Sequence, residues 1–135
     1  MIIRLNMKSD VPIYMQLRNE IMLGISKGEL KIGEALPTVR QMAEDIGVNT
    51  MTVNKAYTIL KQEGFIETDR RRGSVVCAFE NVQEDVLEKA EQELTLLIAE
   101  VSLKGMKKEA FMQMCEKIYD EMEKGTVKER FEKEE

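Results

Sequence analysis

Apolar residues repeat at helical spacing in two consecutive stretches near the middle of the chain. A first short helix is predicted over 39–46, where Thr38 and Gln41 match a capping box in which each side chain satisfies a backbone N–H. Gly47 follows, and its left-handed conformation lets the chain leave the helix. A second helix is predicted over 50–63, with Asn49 as its N-cap. Its apolar stripe comprises Val53, Ala56, Tyr57 and Leu60.

The pattern then changes from helical spacing to alternation. Short strands are predicted over 65–68 and 74–79, because apolar residues of the second strand alternate toward one face. Residues 69–73 form the turn between them. The order of helix, turn, helix and hairpin predicts a mainly α fold with a small β-hairpin, which is a winged helix-turn-helix.

The second of these helices has a polar face opposite its apolar stripe. No carboxylate occurs on this face before Glu63, although 33% of the chain is charged. A solvated helix of such a chain would mix Glu and Lys, so this face favours an approach to the polyanionic, hydrogen-bonding base edges of DNA. The face carries Thr50, Met51, Thr52, Asn54, Lys55 and Thr58.

Three consecutive arginines lie at the tip of the predicted hairpin. Arg70, Arg71 and Arg72 precede Gly73 there, where they can reach phosphates or a minor groove beside the second helix. The alternative is that this run of charge is merely solvated. We favour contact with DNA, because the hairpin follows a helix that is already suited to the major groove.

The start of the chain predicts one more helix and a short strand. Ser9 or Asp10 can cap a helix that has Pro12 in its first turn. Residues 2–5 are expected to form a strand that pairs with the hairpin or packs near it. The apolar face of the helix, with a role in the core, comprises Ile13, Leu17, Ile21 and Ile25.

Three motifs follow one another in the first 80 residues. They are PIYMQL at 12–17, GEALPTVR at 33–40 and NKAY at 54–57, the last followed by Leu60 and by EG at 63–64. Together they resemble the winged-helix domain of the GntR family of bacterial transcription regulators. Many members carry arginine where this chain has Thr50 and Asn54, so their base preference does not transfer. The residues that match operator-contacting positions of the family are Arg40, Thr50, Thr52 and Asn54.

The candidate DNA-binding site combines the start of the second helix, one residue of the preceding helix and the hairpin tip. The expected partner is a double-stranded DNA operator, read in the major groove by the helix. The candidate residues are Arg40, Asn49, Thr50, Thr52, Asn54, Lys55, Arg70, Arg71, Arg72 and Gly73.

The 55 residues after Glu80 carry two further amphipathic patterns, separated by Gly105. The first has the 3-4-3-4 spacing of a helix that packs along another helix, and the second is predicted to end at Gly125. So short a segment excludes the large effector domains of other GntR branches. The resemblance therefore narrows to the YtrA-like branch, whose short C-terminal helices serve dimerisation. The candidate dimer interface is Leu87, Ala90, Leu94, Leu97, Val101, Phe111 and Ile118.

These patterns divide the chain into three parts. We expect a DNA-binding domain at 1–80, a two-helix dimerisation segment at 81–125 and a charged, disordered tail at 126–135. Two helices alone bury little apolar surface, so their exposed faces favour a homodimer. The alternative is that both helices fold back on the winged helix of their own chain.

Charge divides along the same boundary. Residues 1–80 hold 11 Lys plus Arg and 10 Asp plus Glu, a net charge of +1, whereas residues 81–135 hold 9 and 15, a net charge of −6. The total of −5 is mild evidence against nucleic-acid binding. The field at a DNA-binding face depends on where the charges lie, however, and the acidic excess is C-terminal.

The composition offers no basis for enzyme chemistry. Histidine is absent, which removes the usual general base and the commonest transition-metal ligand. Cys77 and Cys115 have no CxxC spacing, so we expect reduced, structural thiols, with redox sensing by Cys115 as the alternative. No cofactor, metal site, signal peptide or membrane partner is expected.

The sequence therefore predicts a cytoplasmic, homodimeric transcription regulator, specifically a repressor, that binds a roughly palindromic operator through two winged helices. The competing class is a winged-helix module that binds protein instead of DNA. Such a module would need exposed apolar anchors on its second helix, where Met51 is the one candidate. No particular small-molecule effector is indicated by these residues.

Overall fold

The computed structural model describes residues 3–79 and 81–134, with side chains described up to residue 124. The chain divides into two compact units, one containing the first three helices and the hairpin, the other spanning Phe79–Glu123. The mainly α fold with a small hairpin is confirmed. In chain order its elements are α1 (Ile13–Ser26), α2 (Val39–Ile46), α3 (Thr50–Gln62), β1 (Ile66–Asp69), β2 (Gly73–Val76), α4 (Glu84–Leu103) and α5 (Lys108–Glu134).

The core of the first unit lies between α1 and α3. Leu17 and Ile21 of α1 are fully buried, as the apolar face predicted for that helix requires. All four residues of the stripe predicted for α3 are also buried. Burial of these side chains, each contributing about 1.5 to 3 kcal/mol for a large aliphatic group, fixes which face of α3 remains in solvent.

Capping residues define the joint between α2 and α3. The Thr38 hydroxyl accepts from the Gln41 backbone N–H at 3.0 Å, and the chain leaves α2 through Gly47, whose φ is +70°. The Asn49 side chain then accepts from the Thr52 backbone N–H at 2.8 Å. These bonds satisfy N–H groups that a helix start otherwise leaves free, so the predicted boundaries are confirmed.

Two predicted helix starts differ in detail from the structure. The Gln41 side chain donates to Asp45 at 2.9 Å, so it does not complete the capping box and stabilises the next turn of α2 instead. In α1, Pro12 occupies the N-cap position without a side-chain cap. Ser9 accepts from the Val11 backbone N–H at 3.1 Å, which makes it part of the preceding turn.

The hairpin pairs β1 and β2 in antiparallel register from Ile66↔Val76 to Asp69↔Gly73. The second strand ends at Val76, earlier than the predicted residue 79. Val75 and Val76 are both buried, so strict alternation does not hold at this end. One further backbone bond, from Cys77 N to Phe65 O at 2.9 Å, continues the pairing just beyond the strands.

Residues 33–36 pair with the other edge of β2. The Gly33 N–H donates to the Val76 carbonyl at 2.8 Å, and the Leu36 N–H donates to the Ser74 carbonyl at 2.8 Å. The sequence did not predict this pairing, in which Ala35 and Val75 form an isolated bridge, because four residues that include a glycine show no alternation. The strand expected at 2–5 is not found: within the described residues Ile3 and Leu5 pack against the core without pairing, and Ile2 lies outside them.

The second unit contains two helices with little buried surface. Gly105, with φ +105°, interrupts the helical chain between α4 and α5 as predicted. None of the side chains of α4 is buried, and among the described side chains of α5 only Phe111 is. The predicted helix end at Gly125 is wrong, because α5 continues to Glu134 in the structure. The disorder predicted for residues 126–135 stays a prediction. A single glycine costs a helix only about 1 kcal/mol relative to alanine, which need not end it.

Candidate nucleic-acid interface

The solvent face of α3 carries the residues expected to approach DNA. Thr50, Asn54 and Lys55 are exposed there, on the side opposite the buried stripe. Among the described residues, no side-chain hydrogen bond is found for Thr50 or Asn54. Their donors and acceptors are therefore free for base edges, as the prediction requires.

Two of the predicted contact residues stabilise the start of α3. The Asn49 carbonyl oxygen Oδ1 accepts from both the backbone N–H and the hydroxyl of Thr52, at 2.8 and 2.9 Å. This arrangement uses the Thr52 hydroxyl hydrogen within the protein, although its oxygen can still accept a bond. Asn49 and Thr52 thus fix the first turn of α3. Further along the helix, the Thr58 hydroxyl donates to the backbone carbonyl of Asn54 at 2.8 Å.

Lys55 has a protein partner that the sequence did not reveal. Its ammonium nitrogen lies 4.0 Å from the centroid of the Tyr14 ring, in the first turn of α1. A cation over an aromatic face is attracted by the quadrupole of the ring. The contact holds the Lys55 ammonium where α1 and α3 meet, while Lys55 as a whole remains exposed.

A buried tyrosine connects α3 to the segment before α2. The Tyr57 hydroxyl donates to the Pro37 carbonyl at 2.8 Å, and burial raises the pKa of Tyr57 well above its ordinary value. Arg40, in the first turn of α2, is exposed. The Tyr57–Pro37 bond thus fixes the start of the helix that carries Arg40 relative to α3.

An ion pair holds the other end of α3. Arg18 donates from Nε and Nη2 to the two carboxylate oxygens of Glu63, both at 2.8 Å. The guanidinium also lies 5.7 Å from the centroid of the Phe65 ring. Paired, parallel bonds of this kind add geometric specificity. α3 is therefore fixed against α1 at its C-terminal end and beside Pro37 through Tyr57.

The hairpin tip is organised by Asp69. Its Oδ1 accepts from the backbone N–H groups of Arg71 at 2.8 Å and Arg72 at 3.0 Å, and these two bonds are the main reason that the pKa of Asp69 is lowered. Gly73 has φ +80°, a conformation that favours glycine at the end of the turn. Its placement among the DNA-contacting residues remains a prediction, but its conformation has a local structural role.

The three tip arginines are not equivalent. The Arg72 guanidinium donates to the Gly33 carbonyl at 2.8 Å and lies 3.5 Å from the Asp69 carboxylate. It therefore connects the tip to the segment at 33–36, while its side chain remains 56% exposed. Arg70 and Arg71 are exposed, and no side-chain partner is found for either within the described residues.

The predicted dimer residues lie largely exposed in the second unit. Leu94 and Leu97 have 47% and 45% of their surface exposed, and Leu87, Ala90 and Ile118 are exposed as well. Val101 is half-buried, and Phe111 is buried within the chain. Phe111 is therefore less accessible to a partner than the sequence predicted.

Other kinds of site find little support in the described part of the chain. The thiols of Cys77 and Cys115 are free and half-buried, and burial is the main cause that raises the pKa of Cys77. No cluster of three or more metal-ligating side chains is found among the described residues. None of the helices described is both long and apolar enough to cross a membrane.

A helix-turn-helix with a capped, solvent-facing second helix and an arginine-tipped wing defines a winged-helix DNA-binding protein. The family profile described as bacterial regulatory proteins, gntR family, matches residues 12–76. The chain belongs to this family, whose members are DNA-binding transcription regulators and not enzymes.

Individual relatives agree with this assignment. The chain is 32% identical over 127 residues to the HTH-type transcriptional repressor YtrA of Bacillus subtilis (strain 168), covering 91% of this chain and 96% of the relative. A solved structure of YtrA from Sulfolobus acidocaldarius, a GntR-family transcription factor, is 40% identical with a TM-score of 0.60, covering 71% and 99% of the two chains. A protein of Listeria monocytogenes EGD-e described as a transcriptional antiterminator is 27% identical with a TM-score of 0.82, covering 90% and 92%. The resemblance to the YtrA-like branch is thus confirmed.

Proposed function

We propose that this protein is a cytoplasmic repressor that binds an approximately palindromic operator as a homodimer. The observation that carries the proposal is the solvent face of α3, where Thr50 and Asn54 retain free hydrogen-bonding groups. The opposite face of the helix is fixed in the core, so this polar face is preorganised for a major groove. That YtrA of Bacillus subtilis is described as a repressor supports the direction of regulation.

The candidate residues take different parts in this proposal. Thr50 and Asn54 read base edges, and Arg40 and Lys55 contact bases or nearby phosphates. Arg70 and Arg71 supply sequence-independent phosphate contacts from the wing. A second set preorganises the surface and consists of Asn49, Thr52, Arg72 and Gly73.

The charge distribution agrees with an interface of this kind. The overall charge of the chain is −5, but residues 1–80 carry a net charge of +1. The described face of α3 presents no carboxylate before Glu63, and Glu63 is paired with Arg18. The local field at α3 and the wing, rather than the total charge, determines attraction to DNA.

The second unit supplies the proposed dimer contact. Leu94 and Leu97 belong to a heptad-like seam and remain about half exposed in the single chain. Apolar patches of this kind on a soluble domain mark association surfaces. We therefore assign residues 81–125 to dimerisation and residues 1–80 to DNA binding, which gives two recognition helices that match two half-sites.

Selection from a random DNA library, followed by gel-shift measurements, tests the proposal. A wild-type chain that enriches a two-fold symmetric sequence supports it. On the selected DNA, Asn54→Ala should weaken the binding free energy by roughly 1 to 3 kcal/mol per half-site and reduce the preference for one base at one position. Its effect on binding to random DNA should be small. Asn81→Ala, an exposed asparagine outside the winged helix, is the matched control and should bind as wild type does.

Two outcomes would contradict the proposal. Equal losses by Asn54→Ala on selected and random DNA would show that this side chain does not read sequence. A wild-type chain that enriches no sequence would favour the competing protein-binding module.

A further inference from the structure

Met51 is a large apolar side chain with no packing role in the first unit. It lies in the first turn of α3, and 79% of its surface is exposed, more than for any other large apolar side chain between residues 3 and 78. Burying a methionine removes apolar area from water and is favourable. Met51 nevertheless remains in solvent, on the face proposed to meet DNA.

The helix places Met51 among the proposed base-reading residues. Side chains three, four and seven positions apart lie on one face of a helix, so Met51 shares its face with Asn54, Lys55 and Thr58. The buried stripe, which begins at Val53, lies on the other side of α3. Met51 is thus the first side chain of the solvent-facing row.

Hydrogen bonding within the protein limits what the rest of this face can read. The Thr52 hydroxyl donates to the Asn49 side chain. The Thr58 hydroxyl donates to the backbone carbonyl of Asn54, which leaves the Asn54 side chain free. Within residues 50–58, Thr50 and Asn54 are the uncharged polar side chains without such a bond. An apolar contact would add discrimination among base pairs to what these hydrogen-bonding groups provide.

We propose that Met51 reads the C5-methyl group of a thymine in each operator half-site. This inference rests on the proposed DNA binding. The thymine methyl group is the apolar feature that the major groove presents, and it distinguishes T·A from the other base pairs. The unbranched thioether chain of methionine adapts to a small apolar target. A single exposed apolar side chain among polar neighbours matches one methyl group better than it matches a protein interface, which needs a larger apolar core.

Replacing thymine by deoxyuracil tests the contact directly. Uracil lacks the methyl group but keeps every hydrogen-bonding atom of thymine. Using the sequence that the full-length chain selects from a random duplex library, each thymine is replaced in turn. We expect one position per half-site at which uracil weakens wild-type binding by about fourfold, the value for one buried methyl-sized group. Met51→Ala should lose a similar factor on thymine DNA and show no further loss with uracil.

Two control variants separate this contact from general effects. Met51→Leu keeps an apolar side chain and should retain the preference for thymine. Ile32→Ala removes a side chain that is 64% exposed but lies outside α3, and it should discriminate thymine from uracil as wild type does. Circular dichroism should show the same helix content for all variants, since both residues are exposed.

Three results would overturn the inference. The first is a Met51→Ala variant that still prefers thymine to uracil by the wild-type factor. The second is a wild-type chain that binds its selected operator tightly but tolerates uracil at every position, which leaves the proposed function intact. The third is a wild-type chain that selects no sequence, which overturns the proposed function as well.

Discussion

The hydroxyl of Tyr57 donates to the carbonyl of Pro37 at 2.8 Å across 20 residues of chain. This bond joins the buried side of α3 to the segment that leads into α2. We expect Tyr57→Phe to lower the free energy of unfolding by about 0.5 to 1.5 kcal/mol, since this partly buried hydrogen bond is lost while the packing of the ring is retained. Urea denaturation measures the change. Tyr119→Phe, at a tyrosine that is 68% exposed, should leave the midpoint unchanged.

The same tyrosine predicts a pH dependence. Because burial raises the pKa of Tyr57 in the folded state, ionisation is easier in the unfolded chain. The stabilisation is therefore complete below the ordinary tyrosine pKa and decreases as pH rises above it. Urea midpoints across the alkaline range should fall more steeply for wild type than for Tyr57→Phe. Parallel curves for the two proteins would show that Tyr57 does not contribute this dependence.

The wing arginines should separate into two functional kinds. If Arg70 and Arg71 contact phosphates, replacing both with alanine should weaken binding to every DNA sequence and flatten the slope of log affinity against log salt by about 0.9 per lost contact. Arg72→Ala should instead weaken binding with little change in slope, because Arg72 contacts Gly33 and Asp69. Gel shifts at several salt concentrations provide both quantities. If the affinity and the slope are both unchanged in the Arg70/Arg71 double variant, these arginines are solvated and do not contact DNA.

Tyr14 and Lys55 should be energetically coupled. We expect a double-mutant cycle of Tyr14→Leu and Lys55→Met to give a coupling of about 0.5 to 1 kcal/mol in unfolding free energy, the range for an exposed cation over an aromatic ring. Tyr14→Phe keeps the aromatic ring and should therefore retain most of the coupling energy. Strictly additive effects of the two substitutions would show that the 4.0 Å contact contributes nothing to stability.

Local patterns were enough to predict the elements of the winged helix. Caps and apolar spacing act within a few residues, so Thr38, Asn49 and the stripe of α3 could be recognised from neighbours alone. Pairing of residues 33–36 with β2 joins segments about 40 residues apart and has no local signal. α5 continues past Gly125 because a single glycine costs only about 1 kcal/mol relative to alanine, which does not end a helix whose neighbouring residues favour it.

The sequence predicts which residue types form the candidate site, but not which protein groups their side chains contact. Arg70, Arg71 and Arg72 are identical in sequence terms, and only the fold shows that Arg72 contacts Gly33. Lys55 likewise gained Tyr14 as a neighbour from a different helix. Long side chains choose partners through tertiary contacts, so the division between groups free for DNA and groups that hold the surface in place needed the structure.

The exposed seam of α4 gives the last prediction. Leu94→Asp with Leu97→Asp should place unpaired charges where two chains are proposed to meet, at a cost of several kcal/mol to the dimer. The winged helix has its own core and should stay folded by circular dichroism. Because one dimer holds two half-sites together, loss of the dimer should remove most operator affinity although no DNA-facing residue has changed.

Sedimentation and gel shifts on the same samples decide the matter. Leu103→Asp is the matched control, because Leu103 lies at the end of α4 outside the candidate dimer interface and its side chain is 90% exposed. This variant should remain dimeric with wild-type affinity. A folded Leu94/Leu97 variant that sediments as a monomer yet binds the operator as tightly as wild type would refute the dimer mechanism. A wild-type chain already monomeric at micromolar concentration would do so without any variant, because the half-sites would then be bound independently.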